Sequence, residues 1–259
     1  MITEISGVKI HWIREGQNST LPPVLLLHGW GCSVKHFDRI TEELRRDRTV
    51  YAIDFPAHGE SGNPPEPWGV PEFAELTKAF IEQNGIAPCD IIAHSFGGRV
   101  TLWLASHWPQ LVNRLVLTGC AGLKKQPTED EKKRSNEYRK KKKLLETLGR
   151  LPLAGRLAQN ALEKLRFKYG SEDYRALDTE TRKTFVKVVS QDLRECLKQI
   201  TASTLLVWGE NDTATPLWMG QVMAKEIADA GLVIFENDDH FAYLREWPRF
   251  VTVVKAFLK

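Results

Sequence analysis

Short apolar runs rich in β-branched residues alternate along the chain with longer stretches whose apolar positions recur every three or four residues. The runs that read as strands are Val8–Arg14, Val24–His28, Thr49–Asp54, Asp90–His94, Arg114–Thr118, Thr204–Trp208 and Val233–Phe235. The central ones, VLLLH, DIIAH, RLVLT and TLLVW, are almost continuously apolar. Strands covered on both faces read this way, and they belong to parallel sheets flanked by helices. Helical spacing falls between them over 37–47, 72–84, 96–107, 218–230 and 241–258, with Pro248 placed to delay or kink the last. The alternation predicts an α/β class with a mostly parallel central sheet. Ile2–Ile5 and Val8–Arg14, joined through Gly7, read as an antiparallel hairpin at the sheet edge.

The rhythm breaks between Gly122 and Ile200, where no strand pattern appears and Leu144, Leu145, Leu148, Leu151, Leu157, Ala161 and Leu165 recur at helical spacing. This predicts an all-helical insertion over 122–200, with Pro152 and Gly155 dividing its helices, set into a core of 1–121 and 201–259. Its run KKRSNEYRKKKK reads first as a solvated helix face and second as an attractor of anionic substrate or surface. No aromatic residues interleave as a nucleic-acid groove requires.

Composition narrows the class without deciding it. At 259 residues and 42% hydrophobic, the chain can bury a large core, and a net charge of +3 does not call for nucleic acid. The opening MITEISGVKIHWIREG has neither a basic nor an apolar leader pattern, and no run of 18 apolar residues occurs. No membrane partner and a cytoplasmic location are expected. Cys32, Cys89, Cys120 and Cys196 are scattered without metal spacing, so free thiols and no metal are expected.

The chemistry begins at DIIAHSFGGRV. Ala93-His94-Ser95-Phe96-Gly97 places a serine between a buried strand and a helix, flanked two residues away on each side by small residues. A sharp strand-to-helix turn strains the serine backbone and leaves room only for small side chains at those two positions. The turn also aims the N–H of Phe96 at an oxyanion beside Ser95. A second glycine-rich turn, His28-Gly29-Trp30-Gly31, ends the strand VLLLH and lets backbone amides approach the same oxygen.

With these segments the chain resembles the α/β-hydrolase superfamily, in the lid-bearing branch that includes small esterases, C–C hydrolases and related lyases. AIDFPAHGESG resembles a further signature of that family, matched at Asp54, Pro56, His58, Gly59 and Ser61, with Ala57 in place of the usual glycine. The resemblance implies a structural role for Asp54 and His58, a second oxyanion donor at the N–H of Trp30, and the chain order serine, acid, histidine. The acid is then Asp212 in Gly209-Glu210-Asn211-Asp212, with Glu210 as its rival, and the base is His240 in FENDDHFAYLREWP. Some relatives carry the acid after the strand RLVLTG, but the loop CAGLKKQP there has no carboxylate.

A serine hydroxyl becomes a nucleophile when an imidazole takes its proton and a carboxylate fixes that imidazole. The resemblance therefore implies acyl transfer to water by Ser95, His240 and Asp212, with no cofactor. The insertion would act as a lid over a pocket walled by Trp30, Phe96 and Phe241, and the substrate would be a small or medium, partly apolar ester, thioester or amide. Two other readings stand beside this one. Arg99, four residues after the serine as in a menaquinone-pathway lyase of this fold, could meet a substrate carboxylate in C–C bond chemistry. A non-catalytic ligand sensor could also keep the triad.

Overall fold

In a computed structural model of the chain, residues 1–124, 129–149, 155–169, 174–175 and 177–259 are described. Their strands are β1 (Ile2–Ile5), β2 (Val8–Glu15), β3 (Val24–Leu27), β4 (Val50–Ile53), β5 (Cys89–His94), β6 (Val112–Thr118), β7 (Ser203–Gly209) and β8 (Ala230–Phe235). Their helices are α1 (Asp38–Leu44), α2 (Val70–Gln83), α3 (Phe96–His107), α4 (Glu129–Leu148), α5 (Gly155–Tyr169), α6 (Thr179–Ser190), α7 (Arg194–Leu197), α8 (Trp218–Glu226), α9 (Ala242–Arg245) and α10 (Trp247–Phe257).

All eight strands form one sheet in the order β1-β2-β4-β3-β5-β6-β7-β8. β3 to β8 run parallel, while β1 and β2 form the expected antiparallel hairpin at the edge. Ser6 and Gly7, at φ 52° and 75°, make the two-residue turn whose twist suits a hairpin. β3 lies between β4 and β5, so the chain leaves it first to one side and then to the other. The crevice outside the carboxyl ends of two such strands is where ligands bind in open α/β sheets.

Successive residues of each buried strand feed opposite cores. Leu25, Leu27, Ile91 and Leu117 pack on Phe73 and Phe80 of α2 and Val100 and Leu104 of α3. Val24, Leu26, Ile92 and Val207 pack on Ile40 and Leu44 of α1 and Phe250 and Val254 of α10. Each such side chain taken out of water stabilises the fold by roughly 1.5–3 kcal/mol. This double coverage is the cause of the near-continuous apolar runs.

Three helices differ from the pattern. The helix read over 37–47 is preceded by a 3₁₀ turn over Val34–Phe37 and runs as α1 only to Leu44. The 218–230 stretch ends at Glu226, because Ala230 already pairs with Thr204 in the sheet. The 241–258 stretch is two helices that meet at Glu246. Pro248 sits in the first turn of α10, where a missing N–H breaks no helical hydrogen bond.

The chain divides into two compact units, Met1–Leu123 with Val186–Lys259, and Lys124–Phe185. The second is shorter than the helical stretch read from the pattern. Val188, Leu193, Cys196, Leu197 and Ile200 are buried in the first unit, in the same cluster as α3. Within the second unit α4 pairs with α5 through Tyr138 and Tyr169, whose ring centres lie 5.3 Å apart. The cationic block lies on α4, where Lys132, Lys141 and Lys142 pair with acids of the same helix and most of the face is exposed. Leu151 and Pro152 lie outside the described residues, and Gly155 begins α5.

Candidate active site

Ser95 stands between the last residue of β5 and the first of α3 at φ 50° and ψ −107°. A non-glycine residue in that region stores roughly 1–3 kcal/mol of strain, which the surrounding structure must hold. Backbone bonds hold it, among them the first helical bond of α3, from Arg99 N–H to Ser95 O at 3.1 Å. Ser95 N–H donates to Thr118 O at 3.1 Å, Ala121 N–H donates to Ser95 O at 3.1 Å, and Gly97 N–H donates to His28 O at 3.0 Å. The small flanking residues are required by contact. A Cβ on Gly97 would lie 2.2 Å from the carbonyl oxygen of Leu27, and Ala93 is fully buried.

The loops after β7 and β8 bring an acid and a base together. Asp212 is buried and His240 half-buried, and His240 Nδ1 lies 2.8 Å from Asp212 Oδ2. The carboxylate is fixed independently: its Oδ1 accepts the N–H groups of Ala214 at 2.9 Å and Thr215 at 2.8 Å. The Thr215 hydroxyl sits 2.8 Å from Asp212 Oδ2, 2.9 Å from Gly119 O and 3.2 Å from His240 Nδ1, with one hydrogen to give. An acceptor-only carboxylate makes Nδ1 the protonated ring nitrogen of His240, which leaves Nε2 as an acceptor. Glu210 is exposed and accepts the N–H of Asn237 at 3.0 Å instead.

The Asp212–His240 pair lies beside the Ser95 turn. The carbonyl of His240 is 3.0 Å from Nε2 of His94, the residue preceding Ser95, and the rings of His94 and His240 are centred 4.7 Å apart. Gly119, at φ 50° just after β6, lets the pair approach the sheet. A Cβ there would sit 3.1 Å from His240 Nδ1 and 3.2 Å from Asp212 Oδ2. The Ser95 hydroxyl makes no hydrogen bond among the described residues.

The two segments expected to supply N–H groups also meet here. Phe96 opens α3, so its N–H has no acceptor within the helix. Trp30 follows β3, and its ring centre lies 5.2 Å from that of Phe96. A Cβ on Gly29 would lie 2.7 Å from Nδ1 of the fully buried His94, so glycine is what allows the loop this close to the Ser95 turn. Phe241, 36% exposed, lies with its ring centre 5.4 Å from that of His240.

The other motif residues are tied into the scaffold. His28 donates Nδ1–H to Gly29 O at 2.7 Å and accepts the N–H of Phe55 at Nε2 at 2.9 Å, which ties the loops after β3 and β4 together. Its burial, then the nearby His58, push its pKa down to about 3. Asp54 accepts from His11 Nδ1 and from the N–H groups of Val34 and Glu60. His58 donates to Pro56 O, and burial lowers its pKa. Arg99 is buried, and its Nη1 donates to the carbonyls of Val188 at 3.1 Å and Gln191 at 2.7 Å, at the end of α6.

Thr215, Gly119 and His94 belong to this arrangement but are not singled out by the motif pattern. For Thr215 the signal is local: an aspartate whose carboxylate caps the N–H groups two and three residues on is a recognisable turn. For the other two the signal is tertiary.

The sequence model described as alpha/beta hydrolase fold matches residues 22–246. A pimeloyl-[acyl-carrier protein] methyl ester esterase of Neisseria meningitidis is 28% identical over 262 residues, covering 95% of this chain and 97% of that protein. Among solved structures, an enol-lactonase from Burkholderia xenovorans superposes with a TM-score of 0.76 at 20% identity, covering 100% of this chain and 99% of that one. A hydrolase from Pseudomonas aeruginosa superposes with a TM-score of 0.75 at 24% identity, covering 100% and 97%. At these identities the two structures share the fold with this chain.

Proposed function

Because the chain belongs to the α/β-hydrolase fold family, we propose that it is a serine hydrolase that cleaves a small or medium, partly apolar ester, thioester or amide through an acyl-enzyme at Ser95. The observation that carries this reading is the strained Ser95 turn held beside a 2.8 Å Asp212–His240 pair.

The reaction runs in two halves. Ser95 Oγ adds to the substrate carbonyl carbon as its proton passes to His240 Nε2, and the carbonyl oxygen gains the charge. Asp212 holds the resulting imidazolium by accepting its Nδ1–H. The N–H groups of Trp30 and Phe96 receive the oxyanion, and losing one such donor costs about 10²- to 10³-fold in rate. The tetrahedral species collapses, the leaving group takes the proton from His240, and the acyl group stays on Oγ. Water then repeats the sequence and releases the acid. The mechanism brings Oγ within hydrogen-bond reach of Nε2 as substrate enters; catalytic hydrogen bonds commonly tighten at that stage.

Trp30, Phe96 and the exposed edge of Phe241 supply apolar surface for the acyl or leaving group. The helical insertion leaves the sheet after β6 and returns before β7, and this place in the chain supports reading it as a cap. The engagement of Arg99 with two backbone carbonyls supports ester hydrolysis over a lyase that needs Arg99 for a substrate carboxylate. Four buried free cysteines support a reducing, cytoplasmic setting.

The test is a p-nitrophenyl ester panel of increasing acyl length with wild type and Ser95→Ala. Turnover at some chain length that is abolished in Ser95→Ala supports the proposal. No turnover at any length, or turnover that survives Ser95→Ala, overturns it.

A further inference from the structure

His94 is a buried imidazole that the mechanism above does not use. It ends β5, is 1% exposed, and is covalently joined to Ser95. Its Nε2 lies 3.0 Å from the main-chain oxygen of His240. A carbonyl only accepts, so Nε2 carries the hydrogen and Nδ1 is a bare lone pair. That lone pair faces the oxyanion loop, where a Cβ on Gly29 would lie 2.7 Å from it. The ring is wedged between His240, Phe241 and Tyr243, at centre distances of 4.7, 5.1 and 4.6 Å.

His94 therefore touches the loop that carries the base and abuts the loop that carries Trp30, while being the chain neighbour of the nucleophile. Its contact to the base is to the main chain, so it sets where the His240 backbone sits without competing with Asp212 for Nδ1. Asp212 and Thr215 fix the rotation of the imidazole and reach the β5–α3 turn only indirectly, through Gly119 and Thr118 at the end of β6. The hydrogen bond from His94 ties the His240 main chain to the turn directly.

We propose that His94 is a positioning residue whose Nε2–H holds the main chain of His240 in register with Ser95. The assignment rests on the triad reading given under Proposed function. The residue must also stay uncharged to serve. A cation centred 4.7 Å from His240 would oppose the imidazolium formed there when Ser95 gives up its proton. Burial first, and the nearby His240 second, hold the His94 pKa well below the ordinary histidine value.

Two variants separate positioning from packing. His94→Phe keeps a ring of similar size and removes the donor. In His94→Gln the side-chain amide can present an N–H where Nε2 stood. Each is treated with a fluorophosphonate, resolving the covalent step at Ser95 from reversible binding, and each is melted thermally. His94→Phe should slow the covalent step about 10- to 100-fold, the range expected when a reacting group shifts by up to 1 Å. Reversible binding should stay near wild type, and His94→Gln should recover most of the rate. Equal losses in both variants, or losses that track the melting temperature alone, overturn the proposal.

A second readout needs no reactivity. The proton on His240 Nδ1, held by Asp212, gives a downfield proton NMR signal that is protected from exchange. It should persist in His94→Gln and shift or exchange faster in His94→Phe; an unchanged signal in His94→Phe overturns the positioning role. If wild type is not labelled while this signal responds as expected, the hydrolase reading fails and the tether stands.

Discussion

Replacing Gly119 by alanine separates backbone strain from crowding of the acid–base pair. Gly119 has φ 50°, a conformation that costs an L-residue about 1–2 kcal/mol. Alanine also restricts the unfolded chain, which returns about 0.4–1 kcal/mol, so the net loss of stability is about 1 kcal/mol. For a chain of this size that lowers the melting temperature by about 2–4 °C. The new Cβ would also sit 3.1 Å from His240 Nδ1 and 3.2 Å from Asp212 Oδ2, so the pair must give by a few tenths of an ångström. A full 1 Å misplacement costs about 100-fold, so about tenfold is expected here, or about 1.4 kcal/mol of barrier. Gly85 is the control. It has φ 60°, and an added Cβ there meets nothing within 4 Å. Both variants should lose similar stability, and only Gly119→Ala should slow fluorophosphonate labelling of Ser95. Equal labelling rates in the two variants would refute the reasoning.

Two further outcomes follow from residues held in the scaffold. Ala57 sits at φ 66°, a conformation that favours glycine, so Ala57→Gly should raise stability by about 0.5–1 kcal/mol in a denaturant titration, with labelling unchanged. Burial depresses the pKa values of His28, to about 3, and of His58 and His94. Below the ordinary histidine pKa of about 6.5 the unfolded chain therefore binds more protons than the native one. Stability should be level with respect to these groups above about pH 7 and fall as the pH drops below 6.5, each histidine contributing up to about 1.4 kcal/mol per pH unit. Thermal melts from pH 8 to 5 that show no decline would contradict the neutral, buried state of these rings.

What the pattern made legible was whatever depends on burial of both strand faces or on local crowding. VLLLH, DIIAH, RLVLT and TLLVW are apolar throughout because both cores claim them, and these runs were sufficient to place the sheet. The requirement for glycine at 97 follows from the turn itself. Helix ends were less legible. Nothing local stops 218–230 at Glu226; the pairing of Ala230 with Thr204 does. Val186–Ile200 reads as part of the insertion because its spacing is helical, whereas its partners are Arg99 and Gly122, distant in sequence: Leu193 N–H donates to Gly122 O at 2.8 Å. In the same way His94 reads as an ordinary second residue of a pentapeptide, since its partner lies 146 positions away. Arg99 reads as a possible carboxylate anchor, and nothing local shows that its Nη1 donates to the carbonyls of Val188 and Gln191, about ninety positions away.

Intact-mass and peptide mass spectrometry after treatment with a fluorophosphonate test the central claim most directly. The account predicts one adduct, mapped to Ser95, that forms rapidly in wild type, slows by orders of magnitude in His240→Asn and Asp212→Asn, and is absent in Ser95→Ala. Labelling that occurs at another residue, or that proceeds at the wild-type rate without His240, would contradict it.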